Sequence, residues 1–284
     1  MMRYRRGLWP AASYLVPLGC FALGCSDWPP SARPPQTVVP FQPSPSPEPA
    51  PPARSAGTPP GAATLRRVLL FTRTVGFAHD SIPAGIAAIQ KLGMENVFTV
   101  DQTADPTRFS DATLSDYDVV IFLSTTSDVL DNAQQDAFQR YIEAGGGWVG
   151  VHAATDTEYG WPWYGQLIGN GAWFNGHPPI QQAQVVVEKA DHSSTAHLAP
   201  SFRLQDEWYA FKANPRPAVT VLLRVDEASY APGNHPMGDH PIAWYHNFDG
   251  GRAWYTALGH PIERYSDPQF TKHLLGGIQW AAGR

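Results

Sequence analysis

GGGWVGVHAATDTEYG, residues 145–160, is the stretch on which the fold turns. Trp148 to Val151 form a short run without a polar side chain, entered through three glycines, and His152 is the first residue beyond it. Such a run reads as a parallel strand buried on both faces. The far end of a strand of this kind opens into the ligand crevice of an α/β sheet, so a histidine there is a candidate for chemistry.

Working outward, RRVLLFT at 66–72 is a first buried strand, and the loop RTVGFAHDS leads into IPAGIAAIQKLG. The apolar spacing of that segment predicts a helix closed by Gly93. VFTV at 97–100 and DYDVVIFLST at 116–125 are the next strands. In DNAQQDAFQRYIEAGGG, Ala133, Ala137, Phe138, Tyr141 and Ile142 share one helical face. Strand, helix, strand in this order implies a mostly parallel sheet with right-handed crossovers. AQVVVEKA at 183–190 and AVTVLLRVDEASY at 218–230 are further strands, with an antiparallel setting open. PIAWYHNF and GRAWYTALGH read as a hairpin about Asp249 to Gly251, and FTKHLLGGIQWAA as a C-terminal helix despite its paired glycines.

The ends differ from the middle. MMRYRR followed by GLWPAASYLVPLGCFALGC has the basic start and apolar stretch of an export signal over residues 1–25. Both cysteines, Cys20 and Cys25, lie in it. ALGC at 22–25 resembles a bacterial lipoprotein processing site, which makes Cys25 the lipidation point and the membrane a partner through an N-terminal lipid anchor; a cleaved, secreted protein is the other reading. The expected location is the cell envelope, lipid-anchored or periplasmic, and otherwise secreted. Residues 26–63 are proline-rich, with 13 prolines between positions 29 and 60, and read as a disordered, extended tether. Residues 64–284, about 220 in number, are enough for one well-buried core. That core has no disulfide, no thiolate nucleophile and no cysteine metal ligand. The formal charge of −5, from 20 basic and 25 acidic residues, comes without a basic stripe and excludes nucleic acid as a partner.

LLFTRTVGFAHDSIPAGI, GGGWVGVHAATD, GHP at 176–178, DEWY at 206–209, GRAWYTALGH and FTKHLLGGIQWA together resemble the ThuA-like (trehalose utilisation) family, in order and across 66–283. The resemblance implies an α/β, doubly wound, mostly parallel sheet in a flavodoxin-like three-layer sandwich, the fold of class I glutamine amidotransferases. It also implies a role in sugar utilisation, including routes through 3-keto disaccharides. In the amidotransferases the turn after this strand carries the nucleophilic cysteine, and a late His-Pro-x-Glu element supplies its partners. The matching positions here are His152 and His260-Pro261-Ile262-Glu263. Without the cysteine, glutamine hydrolysis by thiolate attack is excluded.

His79, His152 and His260 each follow a predicted strand and can converge at one edge of the sheet. One imidazole can accept a proton while another stabilises developing charge; the competing role is a histidine that satisfies buried loop carbonyls. In DEWY an extended backbone turns Glu207 and Tyr209 one way and Asp206 and Trp208 the other. Glu207 is then a metal ligand or an acid/base group. His79, His152, His260 and Glu207 also supply the nitrogen and oxygen chemistry that zinc or manganese accepts, although no HExxH spacing is present. A divalent metal is therefore the one cofactor in view, since no dinucleotide or phosphate-loop fingerprint exists. His177 in NGAWFNGHPP, Trp173, Trp163 in EYGWPWYG, Asp156 and Tyr209 are the candidate sugar-binding groups. His235 and His240, in APGNHPMGDHP, read as exposed loop residues.

Two functions follow. One is a cell-envelope enzyme acting on a saccharide or 3-keto-glycoside by hydrolysis, elimination or isomerisation, with His152 or His260 as the base. The other is a non-catalytic module that binds glycan or protein in a degenerate amidotransferase-like pocket. Spatial convergence of the histidines with Glu207 separates them. The oligomeric state, a homo-oligomer included, is left open.

Overall fold

A computed structural model describes residues 65–283; the expected export segment 1–25 with Cys25 and the expected tether at 26–63 lie outside the described residues. Nine strands form one sheet: β1 (Arg67–Phe71), β2 (Thr99–Thr103), β3 (Val119–Leu123), β4 (Gly147–Val151), β5 (Gln181–Val187), β6 (Ser201–Asp206), β7 (Thr220–Asp226), β8 (Pro241–Phe248) and β9 (Gly251–Thr256). Their order is β2-β1-β3-β4-β9-β8-β7-β5-β6. The first five are mutually parallel, and every pairing from β9 to β6 is antiparallel. The expectation of a mostly parallel, flavodoxin-like sheet is corrected to an evenly mixed one. Its cause is that β7 and β8 are nearly as apolar as β1 and β3, because both of their faces are covered too. Apolar content reports burial, and direction is set by the connections.

The helices are α1 (Ile82–Asn96), α2 (Asp111–Leu114), α3 (Asn132–Glu143), α4 (Pro162–Leu167) and α5 (Pro268–Ala281). Leu123 packs against Gly85 of α1, while its neighbour Phe122 stacks at 5.4 Å on Phe138 of α3. Successive strand residues point to opposite faces, so α1 and α3 enclose the sheet between them. Asp131 and Gln134 form a reciprocal capping box at the start of α3, whose buried face is Ala137, Phe138, Tyr141 and Ile142, with Ala133 exposed. Helix α1 runs on past Gly93, and Val97, at φ 59°, takes the left-handed cap. In α5 the paired glycines allow close packing: a Cβ on Gly277 would come within 2.5 Å of the Trp254 ring.

The antiparallel half curls. In a flat sheet β6 would lie four strand spacings from β9, about 19 Å. Yet Asp206, the last residue of β6, accepts hydrogen bonds of 3.2 Å from the backbone N–H groups of Gly259 and His260, just past β9. Sheet twist accumulated over these strands brings the two ends together. The loops after β1, β4, β6 and β9 thereby meet at one edge.

Candidate active site and metal centre

His79 lies in the loop between β1 and α1. That loop is fixed by Val75, whose N–H donates to the Thr126 carbonyl at 3.0 Å, and by the Thr126 hydroxyl, which donates to the Phe77 carbonyl at 2.9 Å. His152 turns the corner after β4 with φ at 52°, a left-handed conformation that a non-glycine residue holds only when its surroundings enforce it. They do so through its Nδ1, which donates to the Ala257 carbonyl at 2.8 Å, and through the Tyr255 hydroxyl, which donates to the His152 carbonyl at 2.8 Å. Glu207 follows β6 and His260 follows β9.

These four side chains converge. Glu207 Oε2 lies 3.0 Å from His260 Nδ1 and 3.4 Å from His152 Nε2. The His79 ring is 4.7 Å from that of His152 and 5.4 Å from that of His260. One ligand atom from each of His79, His152, Glu207 and His260 lies within 4.8 Å of all the others.

The hydrogen bonds dictate how this cluster is charged. A carbonyl only accepts, so Nδ1 of His152 carries the proton, and in the neutral ring Nε2 presents a lone pair toward a carboxylate. Nε2 of His152, Nδ1 of His79 and Nδ1 of His260 are all buried without a hydrogen-bond partner. Orphaned polar atoms are rare, and two of these, on His152 and His260, face the same Glu207 oxygen, which points to an absent charge. Nitrogen and oxygen atoms 3.0–3.4 Å apart are close to the edge, about 3.4 Å, of a tetrahedron with bonds of about 2.1 Å. The donor set therefore fits a divalent cation of the zinc or manganese kind. Burial, followed by the neighbouring His152 and His260, pushes His79 down to about 3, which keeps it in the neutral, metal-binding form. Burial pushes the Glu207 carboxyl up, but the close approach of His152 and His260 outweighs it and holds the group well below the usual range. Glu207 in turn raises His260.

Two further groups adjoin the cluster. His177, the most exposed of the set, places Nδ1 at 3.1 Å from Glu207 Oε1 and 2.9 Å from the Pro178 carbonyl. Both are acceptors, so the proton sits on Nδ1 and the Nε2 lone pair is free. The Tyr209 ring packs 4.4 Å from His152, with its hydroxyl 3.4 Å from His79 Nε2; burial and Glu207 raise its phenol, which stays protonated.

Other expected residues fall elsewhere. The Asp156 carboxylate neighbours the cluster but accepts the Tyr159 hydroxyl at 2.5 Å. Trp173 donates to the Thr157 carbonyl and packs over Gly165, and its neighbour Phe174 contacts Tyr209 instead, at 4.3 Å. Trp163 donates to Asp249 at 2.7 Å in the β8–β9 turn. Because β9 runs parallel to β4, that turn lies at the opposite end of the sheet from His152. Neither tryptophan is brought to the cluster.

Two residues acquire roles the sequence did not suggest. Asp206 is fully buried and its carboxylate accepts the N–H groups of Glu207, Gly259 and His260, bracing two members of the cluster at once. Its position next to Glu207 was the available signal. His240 is buried rather than exposed: Nε2 donates to the Tyr209 carbonyl at 2.8 Å, and Nδ1 lies 2.9 Å from Glu227.

Fold and site together define an α/β sandwich with a mixed sheet and flanking helices, in which the histidine at the β4 corner joins a His₃Glu cluster. The family profile for ThuA, described as trehalose utilisation, matches residues 67–281, and the chain belongs to that family. A ThuA-like protein of Bacteroides uniformis is similar in structure, with a TM-score of 0.67 and 28% identity over 80% of this chain and 95% of that one. Another, from Parabacteroides merdae, has a TM-score of 0.62 and 19% identity over 76% and 90% of the two chains. No curated protein matches the chain. A cytoplasmic protein of Salmonella typhimurium shares the fold at a TM-score of 0.50 and 11% identity over 76% of this chain and 97% of that one, and a second is named in the same way. The name of the first is the finding that stands against the expectation of an exported, envelope location, which rested on residues 1–25 alone.

Proposed function

We propose that this ThuA-family protein acts on oxidised saccharides, eliminating the group on the anomeric carbon of a 3-keto-glycoside. The observation that carries this reading is the convergence of His79, His152 and His260 with Glu207, one ligand atom from each within 4.8 Å of the others, with His177 beside them. A binding module has no use for such a constellation, so the non-catalytic alternative is set aside.

In a 3-keto-glycoside the carbonyl acidifies the hydrogen on the adjacent C2. His177 Nε2, its lone pair fixed outward by the two acceptors on Nδ1, is placed to take that proton. The C2–H electrons pass into the enolate and then form the C1=C2 bond as the glycosidic C1–O bond breaks. The departing oxygen takes up a proton, for which the Tyr209 hydroxyl is the nearby donor. His79, His152, Glu207 and His260 would hold a divalent cation, which when bound supplies Lewis-acid polarisation of the substrate carbonyl. His152 and Glu207 thus serve as ligands, and the base sits in the outer layer at His177. No second carboxylate is required, unlike in ordinary glycoside hydrolysis.

The test is metal analysis of the purified protein, with turnover of a 3-keto-glucoside followed through its enone absorbance. About one metal per chain, with elimination abolished by chelation and restored by zinc or manganese, is expected. A metal-free protein that leaves keto-glycosides untouched would overturn the reading.

A further inference from the structure

Among the described residues six large hydrophobic side chains are exposed: Val75, Phe77, Met94, Val97, Ile180 and Ile262. Their distribution is uneven. Val75 and Phe77 precede His79 in the β1–α1 loop; Ile180 lies three residues beyond His177, and Ile262 two beyond His260. Four of the six thus ride on the three loops that deliver histidines to the cluster. Met94 and Val97 belong to the far end of α1.

The β1–α1 loop that carries Val75 and Phe77 is fixed in place. Phe77 is 66% exposed, yet its ring stands edge-on to His79 at 4.8 Å, and its loop is held by Thr126 at two points. At Gly76 the same loop presses so closely on Ser127 that a Cβ would meet its hydroxyl at 2.6 Å. An apolar surface held rigid beside reacting groups is ready to bind before any ligand arrives. Its chemistry selects what it binds. Val75, Ile180 and Ile262 offer no hydrogen bonds, and would strip water from the hydroxyls of a second sugar without replacing it. A flat apolar group suits them, with the Phe77 ring to stack on.

We infer that this rim is a subsite for an apolar, preferably aromatic, aglycone, so that the favoured substrates are glycosides of aryl or similarly apolar alcohols rather than disaccharides. The inference rests on the sugar-elimination reading of the same site, and two measurements keep them apart. The first is fluorescence titration of 2-naphthol into the full chain, which involves no sugar chemistry. Phe77→Ala is expected to weaken binding about 10-fold or more, while Met94→Ala, at the other end of α1, leaves it within 2-fold. Equal effects of the two substitutions, or no naphthol binding to the wild type, would overturn the subsite. The second is kcat/KM for naphthyl and methyl 3-keto-glucosides. The wild type is expected to favour the naphthyl compound by about 10-fold, and Phe77→Ala to erase that preference while sparing the methyl compound. Turnover of both at the same ratio in wild type and variant would sink the subsite and leave elimination standing. Phe77-dependent naphthol binding without turnover of either would sink elimination, and with it the assignment of the rim to an aglycone. If Phe77→Ala abolished self-association in sedimentation while naphthol binding was unchanged, the rim would belong to a second copy of the chain.

Discussion

His192 and His273, by Trp254 and α5, are buried as deeply as His79 and His152, but the two groups are wired differently. His273 donates from Nδ1 to the Ser194 carbonyl, and His192 Nδ1 meets the Ser194 hydroxyl and N–H. Each has an idle Nε2, as the site histidines have idle nitrogens. What the first group lacks is a carboxylate at the focus. Among the described residues, only the group around Glu207 gathers three or more ligand atoms within 4.8 Å. Burial of an imidazole is thus compatible with simple packing, and convergence on an anion is what marks a centre built to hold charge.

This contrast breaks first at Glu207. Glu207→Gln keeps the shape and removes the charge; it should empty the site of metal and lower kcat/KM by about 10³-fold or more, whereas His273→Gln should leave both unchanged. Metal analysis beside steady-state kinetics reads the difference. His177→Ala should reduce turnover by about 10²- to 10³-fold with the metal retained, because its imidazole lies outside the four-ligand set. Loss of metal in that variant would move His177 into the coordination sphere. Asp206→Asn keeps one acceptor oxygen but sets an amide donor against at least one of the three backbone N–H groups, and should cost about 10- to 100-fold in metal affinity. Unaltered affinity would mean that Glu207 and His260 hold their positions unaided.

The remaining tests concern stability and are smaller. Burial pushes His273 down to about 3 and His192 to about 4. As pH falls below about 6.5 the unfolded chain takes up protons that the folded chain refuses, so stability drops on acidification until pH reaches those depressed values. The contribution of His273 approaches about 1.4 kcal/mol per pH unit within that window. His273→Leu should flatten the dependence seen in denaturant melts between pH 6 and pH 4, and an unchanged slope would count against neutral burial. Trp163→Phe, at the far end of the sheet, loses one hydrogen bond to Asp249, so activity should stay within about 2-fold and stability fall by about 1 kcal/mol. A larger loss of activity would return Trp163 to the site.

The three histidines of the cluster were legible because α/β chemistry gathers past the carboxyl ends of strands, whereas Glu207 stood out only through the side-to-side alternation of DEWY. The direction of the later strands was not legible, since RVLLF and TVLLR look alike whichever way they run. SFRLQD, the edge strand β6, escaped notice because it alternates polar and apolar residues and is only partly covered. Gly93 looked like a helix stop, but a Cβ there would meet the Phe98 carbonyl at 2.7 Å, so the glycine serves contact within a helix that continues. Asp206 was hidden for a different reason. A carboxylate that accepts backbone N–H groups leaves no periodicity, and only the curl of the sheet brings Gly259 and His260 within reach.

That curl has a kinetic side. Glu207 is tethered to β6, an outermost strand paired on one edge only, and peripheral strands open far more often than central ones. Amide exchange at Phe202 and Leu204 should therefore report how often the centre is dismantled. Occupation by a cation would slow exchange there while leaving β3, in the middle of the parallel half, untouched.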